Sequence, residues 1–159
     1  MFDTNGILKL LHLAAAIVWM GGMTFMLLAL RPAALEVLES PVRARLMGAV
    51  WRRFFTLVLV AIAVLLLTGG HMYSQALRLA QAASGTANLP LGWHLMAALG
   101  VAMVLIFGHI YFAGFRQFKR ALAASDGPLA AKAAAQINRL VIVNFVLGWL
   151  AIVAVRLVH

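Results

Sequence analysis

Four stretches of mostly apolar residues, each about 20 long, divide this chain, and a helix of that length is what the hydrocarbon core of a bilayer requires. They fall at about residues 7–30, 54–77, 91–115 and 140–158. The chain is 65% hydrophobic and only 11% charged, whereas an ordinary soluble domain is about 45–50% apolar. The expected fold is therefore all-α: an integral membrane four-helix bundle, one domain over residues 1–159.

The charges set the expected direction of the spans. Arg31, Arg43, Arg45, Arg52 and Arg53 lie between the first two spans, and Arg116, Lys119, Arg120, Lys132 and Arg139 between the last two. These are ten of the 13 Lys and Arg; Lys9, Arg78 and Arg156 are the others. By the positive-inside rule both basic loops are cytoplasmic, so both termini face the outside, the periplasm of a Gram-negative cell. A net charge of +9 would point to nucleic acid in a soluble protein. Here topology accounts for it, no nucleic-acid partner is expected, and the arginines contact membrane lipid.

Local signals place the helix ends. Asp3-Thr4 reads as a cap for the first helix, Ser40-Pro41 as N-cap and first-turn proline of the second, and Asp126-Gly127-Pro128 as the start of the fourth. The helices should thus extend beyond the membrane on the basic side. The loop over residues 82–90 is rich in turn formers. The first span has no basic start and runs into Arg31-Pro32, so it is not expected to be a cleavable signal.

The absence of cysteine excludes disulfides and thiolate metal sites, and four acids make a carboxylate cage unexpected. Histidine is left as the chemically informative residue. His12, His71, His94 and His159 fall near the same end of the bundle, and ionisable side chains within a membrane raise a functional question by default. His12 lies about 8 Å into the first span and His71 at a matched depth in the second. Each stands in a stripe at helical spacing: His12, Ala16, Trp19, Met23 and Met26 on the first helix, Thr68, His71, Gln75 and Arg78 on the second. His109 lies about 22 Å from His94 and cannot share that site; a hydrogen bond to Asn144 is its expected role.

The favoured reading of this pattern is a haem b site. His12 and His71 would be axial ligands, with His94 as substitute. Arg78 and Lys9 would hold the propionates, Trp19 and Met23 would pack below the ring, and the pairs ending in Gly22 and Gly70 would admit its flat face. Electron transfer between membrane quinol and a periplasmic acceptor, or small redox chemistry at the haem edge, would follow. The alternative is copper on His12, His71 and His94, with Met72 or Met96 as soft partners. Zinc on the three histidines ranks third. In a further alternative the chain is a cofactor-free membrane assembly partner whose histidines join helices. Gly100 and Gly148 would permit helix association, including a homodimer.

Two segments carry a family resemblance. LHLAAAIVWMGGMTFMLLALRP at residues 11–32, with His12, Trp19 and paired Gly21-Gly22, resembles the opening helix of the CopD family of bacterial membrane proteins. RRFFTLVLVAIAVLLLTGG at residues 52–70 resembles its next helix. That resemblance implies a multi-pass protein of the bacterial inner membrane connected with copper resistance or uptake. GHIYFAGFRQFKR at residues 108–120 is loosely similar to a helix of the HemJ-type protoporphyrinogen oxidases, which bind haem b. The third span has no lysine where that group carries one, which argues against protoporphyrinogen oxidation. Either resemblance implies a role for His12.

Overall fold

Helix starts and stops are written into the chain by a few polar residues. In this computed structural model, which describes residues 3–158, Asp3 accepts hydrogen bonds from the backbone N–H groups of Asn5 and Gly6 at 3.1 and 3.2 Å. It thereby caps helix α1, Thr4–Val37. Helix α2 spans Ser40–Ser84, α3 Leu91–Ala123 and α4 Gly127–Leu157. Asp126 caps α4 through the N–H of Leu129 at 2.9 Å, as its sequence context implies. Gly85, at φ 73°, ends α2 in the left-handed conformation that suits glycine. No strand occurs among the described residues.

The start of α2 differs by one residue from the expectation. Glu39 holds the extended cap conformation and Ser40 is already helical, with Pro41 in the first turn where its missing N–H costs nothing. The Ser40 hydroxyl instead accepts from Arg43 Nη2 at 3.3 Å, while Arg43 Nη1 donates to the Leu38 carbonyl at 3.0 Å. One arginine thus clamps the short turn between α1 and α2.

The helices are 34, 45, 33 and 31 residues long. At 1.5 Å per residue, α2 is about 67 Å, more than twice a hydrocarbon core of about 30 Å. All four are long and apolar enough to cross a membrane. Large apolar residues such as Leu28, Leu67 and Leu105 stay exposed along their outer faces, as a lipid-facing surface requires. Two of the helices are interrupted by a single π-turn, Met26–Leu30 in α1 and Ile110–Gly114 in α3.

The most extensive packing is within two hairpins, α1 on α2 and α3 on α4. Contacts of α1 with α4, and of α2 with the last turns of α3 and with α4, join the hairpins. An aromatic cluster holds them together. Phe55 of α2, 1% exposed, meets Phe107 and Phe115 of α3 edge-on at 5.6 and 5.2 Å between ring centroids. Trp51 stacks beside it and meets Phe118 at 4.9 Å, and Trp19 of α1 meets Phe107 at 6.2 Å. Small residues allow the closest approaches. A side chain at Gly92 would run into the carbonyl oxygens of Ala154 and Val158, and one at Gly148 into the Met20 sulfur.

Two outcomes follow for stability in detergent, read as thermal unfolding. Phe55→Ala should lose about 3–5 kcal/mol, the usual loss for a buried aromatic, whereas Leu67→Ala, at a position 76% exposed, should leave the midpoint nearly unchanged. Gly92→Ala should cost about 1–3 kcal/mol by overpacking, because the Ala154 carbonyl it meets is part of the α4 backbone and cannot rotate away.

Candidate functional site

His12 projects from α1 onto a place on α2 built to receive an imidazole. Its Nδ1 lies 2.9 Å from the Thr68 hydroxyl, which itself lies 2.6 Å from the Val64 carbonyl one turn back. A threonine hydroxyl has one proton, and the carbonyl can only accept. Thr68 therefore donates to Val64 and accepts from His12. This fixes the imidazole as the Nδ1–H tautomer and leaves Nε2 with a free lone pair, the form that binds a metal. Gly69 supplies the space, since a Cβ there would sit 3.0 Å from His12 Cε1. Thr68 is buried and His12 partly buried.

The other histidines do not join it. Among the described residues, no three His, Cys, Asp or Glu side chains form a group able to hold a metal. The expected convergence of His12, His71 and His94 on one ligand set is corrected accordingly, and helix rotation gives the reason. His71 follows Thr68 by three residues, about 300° round α2. With Thr68 and Gly69 turned to α1, His71 is left exposed. Among the described residues its imidazole has no hydrogen-bond partner, and the Ser74 hydroxyl donates to its backbone carbonyl at 2.9 Å. His94 approaches α2 through Tyr73, with Oη 2.6 Å from Nδ1 and the rings edge to face at 5.8 Å. Tyr73 lies about 200° round α2 from His71, so the two histidines serve opposite faces of that helix.

His109 is exposed at the start of the α3 π-turn, and the expected bond to Asn144 does not form. Asn144, 1% exposed, donates instead to the Met103 carbonyl at 3.2 Å, and its Oδ1 has no partner among the described residues. His159 lies outside the described residues.

The side chains expected to enclose a haem are engaged elsewhere. Trp19 and Met23, 4% and 1% exposed, belong to the packed core. Gly22 is covered by the Phe54 ring, while a Cβ on Gly70 would point into open space. Lys9 and Arg78 are exposed. This arrangement gives the haem reading no support. Gly148, expected to serve association, is occupied by Met20 and Met103 of the same chain, while Gly100 remains open.

Sequence reasoning passed over three features. Thr68 stood in the polar stripe of the second span without being matched to His12. A threonine followed by two glycines, at the depth of a histidine on the neighbouring helix, was the available signal. Tyr73 had none. At the basic end a cavity of about 560 Å³ opens between the helices, with Arg31, Arg43 and Arg45 among its lining and Met47, Trp51 and Phe118 in its apolar part. It depends on helix ends meeting in space and leaves no local trace.

A family model described as copper resistance protein D, CopD, matches residues 48–158, well over half of the chain. The chain belongs to the CopD family. No curated protein and no solved structure matches it. The CopD match covers α2 almost from its start, with Thr68 and Tyr73, and continues through α3 and α4; α1, with His12, precedes it. CopD proteins are multi-pass proteins of the bacterial inner membrane, and the four apolar helices agree with that location. The family's description ties it to copper, and no comparison bears on the HemJ likeness.

The His12 assignment has a direct spectroscopic consequence. In ¹⁵N spectra of histidine-labelled protein, His12 should appear as Nδ1–H. Thr68→Val removes the acceptor at nearly constant shape, and most of the population should then move to Nε2–H. An unchanged tautomer would mean that something other than the hydroxyl orients the ring.

Proposed function

We propose that this protein handles copper as cargo, capturing it at the end of the bundle that carries His12. The observation that supports this most is a copper-family chain holding one imidazole in its ligand tautomer against Thr68, one helical turn from a soft donor. Met72 follows Thr68 by one helical turn on the same face of α2 and is partly buried. Imidazole nitrogen and thioether sulfur together suit copper, and thioether favours Cu(I). Thr68 acts behind the ligand: its hydroxyl fixes the ring and keeps the proton on the nitrogen away from the metal.

The basic loops bear on direction. With ten cationic residues at one end, the positive-inside rule puts that end in the cytoplasm and the His12 end in the periplasm. Copper would thus be met on the outer side, and the family's connection with copper resistance gives it a reason to be moved or held there. His94 and Tyr73 join α2 to α3 in this reading and take no part in binding.

Purified protein titrated with Cu(I) against a competing chelator tests the assignment. The wild type should bind copper in stoichiometric amount and be colourless. His12→Ala should abolish the outer site, and Thr68→Val should weaken it about 10–100-fold, the usual effect of removing a group that orients a ligand. A folded wild type that ignores copper would sink the proposal. A Soret band lost in His12→Ala would replace copper by haem.

A further inference from the structure

The copper reading leaves open how an ion could leave the His12 end through a core with no charged ligands. The buried methionines supply a route. Met23, Met26, Met47 and Met103 lie in the core, and Met20 packs against it. Their positions are not scattered. A Cβ built on Gly148 of α4 would meet the Met20 sulfur and lie 3.1 Å from the Met103 methyl. Thioethers of α1 and α3 therefore converge on one glycine of α4. One turn along the same face of α4 stands Asn144, whose buried Oδ1 lacks a hydrogen-bond partner. An unpartnered buried carbonyl is costly and calls for an explanation. Asn144 Nδ2 reaches α3 at the Met103 carbonyl, and the negative end of the amide dipole, left free in this neighbourhood, would offset the desolvation of a monovalent cation.

A second convergence lies further towards the basic end. Met26 of α1 and Met47 of α2 line a void of about 10 Å³ together with Trp51, Phe54, Phe55 and Asn138. Arg31, Met47, Trp51 and Asn138 also line the 560 Å³ cavity, so the void adjoins it. Met26 opens the α1 π-turn, a distortion frequent at functional sites. Along α1, Met20 stands about 12 Å beyond His12, and Met26 about 9 Å beyond Met20. Between them Met23 carries the thioether stripe round the helix, from the α3 and α4 side to the α2 side.

We propose that Met20 with Met103, and Met26 with Met47, are two successive Cu(I) stations leading from the His12 end to the basic-end cavity. This inference rests on the copper reading. Thioethers are neutral and soft, and bind Cu(I) without adding charge to the membrane interior. The ion passes from one sulfur pair to the next with no change of oxidation state and no proton released. The arginines at the cavity disfavour a bare cation, so the acceptor that takes Cu(I) from Met47 is an anionic thiol.

The test is Cu(I) uptake into proteoliposomes holding glutathione, with X-ray absorption at the copper edge on the loaded protein. Leucine keeps methionine's volume, so packing is preserved. Met20→Leu/Met103→Leu and Met26→Leu/Met47→Leu should each cut uptake about tenfold or more, lower the copper–sulfur scattering by the share of the station removed and unfold near the wild-type temperature. Copper capture that depends on His12 should persist in both. Wild-type uptake in both variants would overturn the route and leave the copper function standing. A folded wild type that neither binds nor admits Cu(I) would overturn the copper function itself.

Discussion

An amide with no partner in hydrocarbon costs several kcal/mol, and a membrane chain escapes that cost by closing every backbone bond within its own helices. Once this is done, the backbone no longer tells one helix where to sit on another. That information falls to a few polar side chains and to shape. Three side-chain hydrogen bonds cross between helices among the described residues, and each serves a different consecutive pair. His12 with Thr68 joins α1 to α2, Tyr73 with His94 joins α2 to α3, and Asn144 with the Met103 carbonyl joins α3 to α4. In lipid such bonds contribute on the order of 0.6–2 kcal/mol each. They act alongside the aromatic cluster round Phe55, which supplies contact area, whereas the polar pairs fix rotation and depth.

The two histidines in those pairs are chemically unequal. His94 meets a phenol, which can donate or accept, so the contact leaves its tautomer open. His12 meets a hydroxyl whose one proton is already directed at Val64, and only one tautomer satisfies that geometry. A structural histidine needs nothing more than a partner. A ligand also needs its second nitrogen unprotonated, and His12 meets that condition from the protein's own bonding.

Much of the architecture was legible in the sequence because span length and caps are local. Asp3 and Asp126 cap where their flanking residues imply. The candidate site was less legible, because it depends on how far each helix is turned about its axis. Period alone cannot set that angle when lipid-facing and core-facing surfaces are equally apolar. A turn of about 60° separates Thr68, which faces α1, from His71, which does not. The same ambiguity hid the core: nothing local separates buried Phe55 from Phe112, which is 59% exposed. The glycines misled for a related reason. Gly22 read as room for a ligand and Gly148 as a face for helix association, yet Phe54 and Met20 fill those places.

That filling also bears on which cargo the bundle can accept. A haem needs a slot several side chains wide, and the core offers Trp19 and Met23 no freedom to line one, since both already pack against protein. A copper ion asks only for two or three donor atoms brought together, and side chains that pack well can do this without opening a cavity. Methionine suits both demands, being flexible enough to fill irregular space and soft enough to bind Cu(I). The two ends of the bundle then differ in kind. Near the outer end, under the proposed orientation, polar pairs close α1 on α2 and α2 on α3. At the other end long helices project beyond the apolar core and part round an arginine-lined cavity. Under the proposed route an ion would meet the fixed imidazole first and the electropositive mouth, as an acceptor's docking place, last, an order suited to inward transfer.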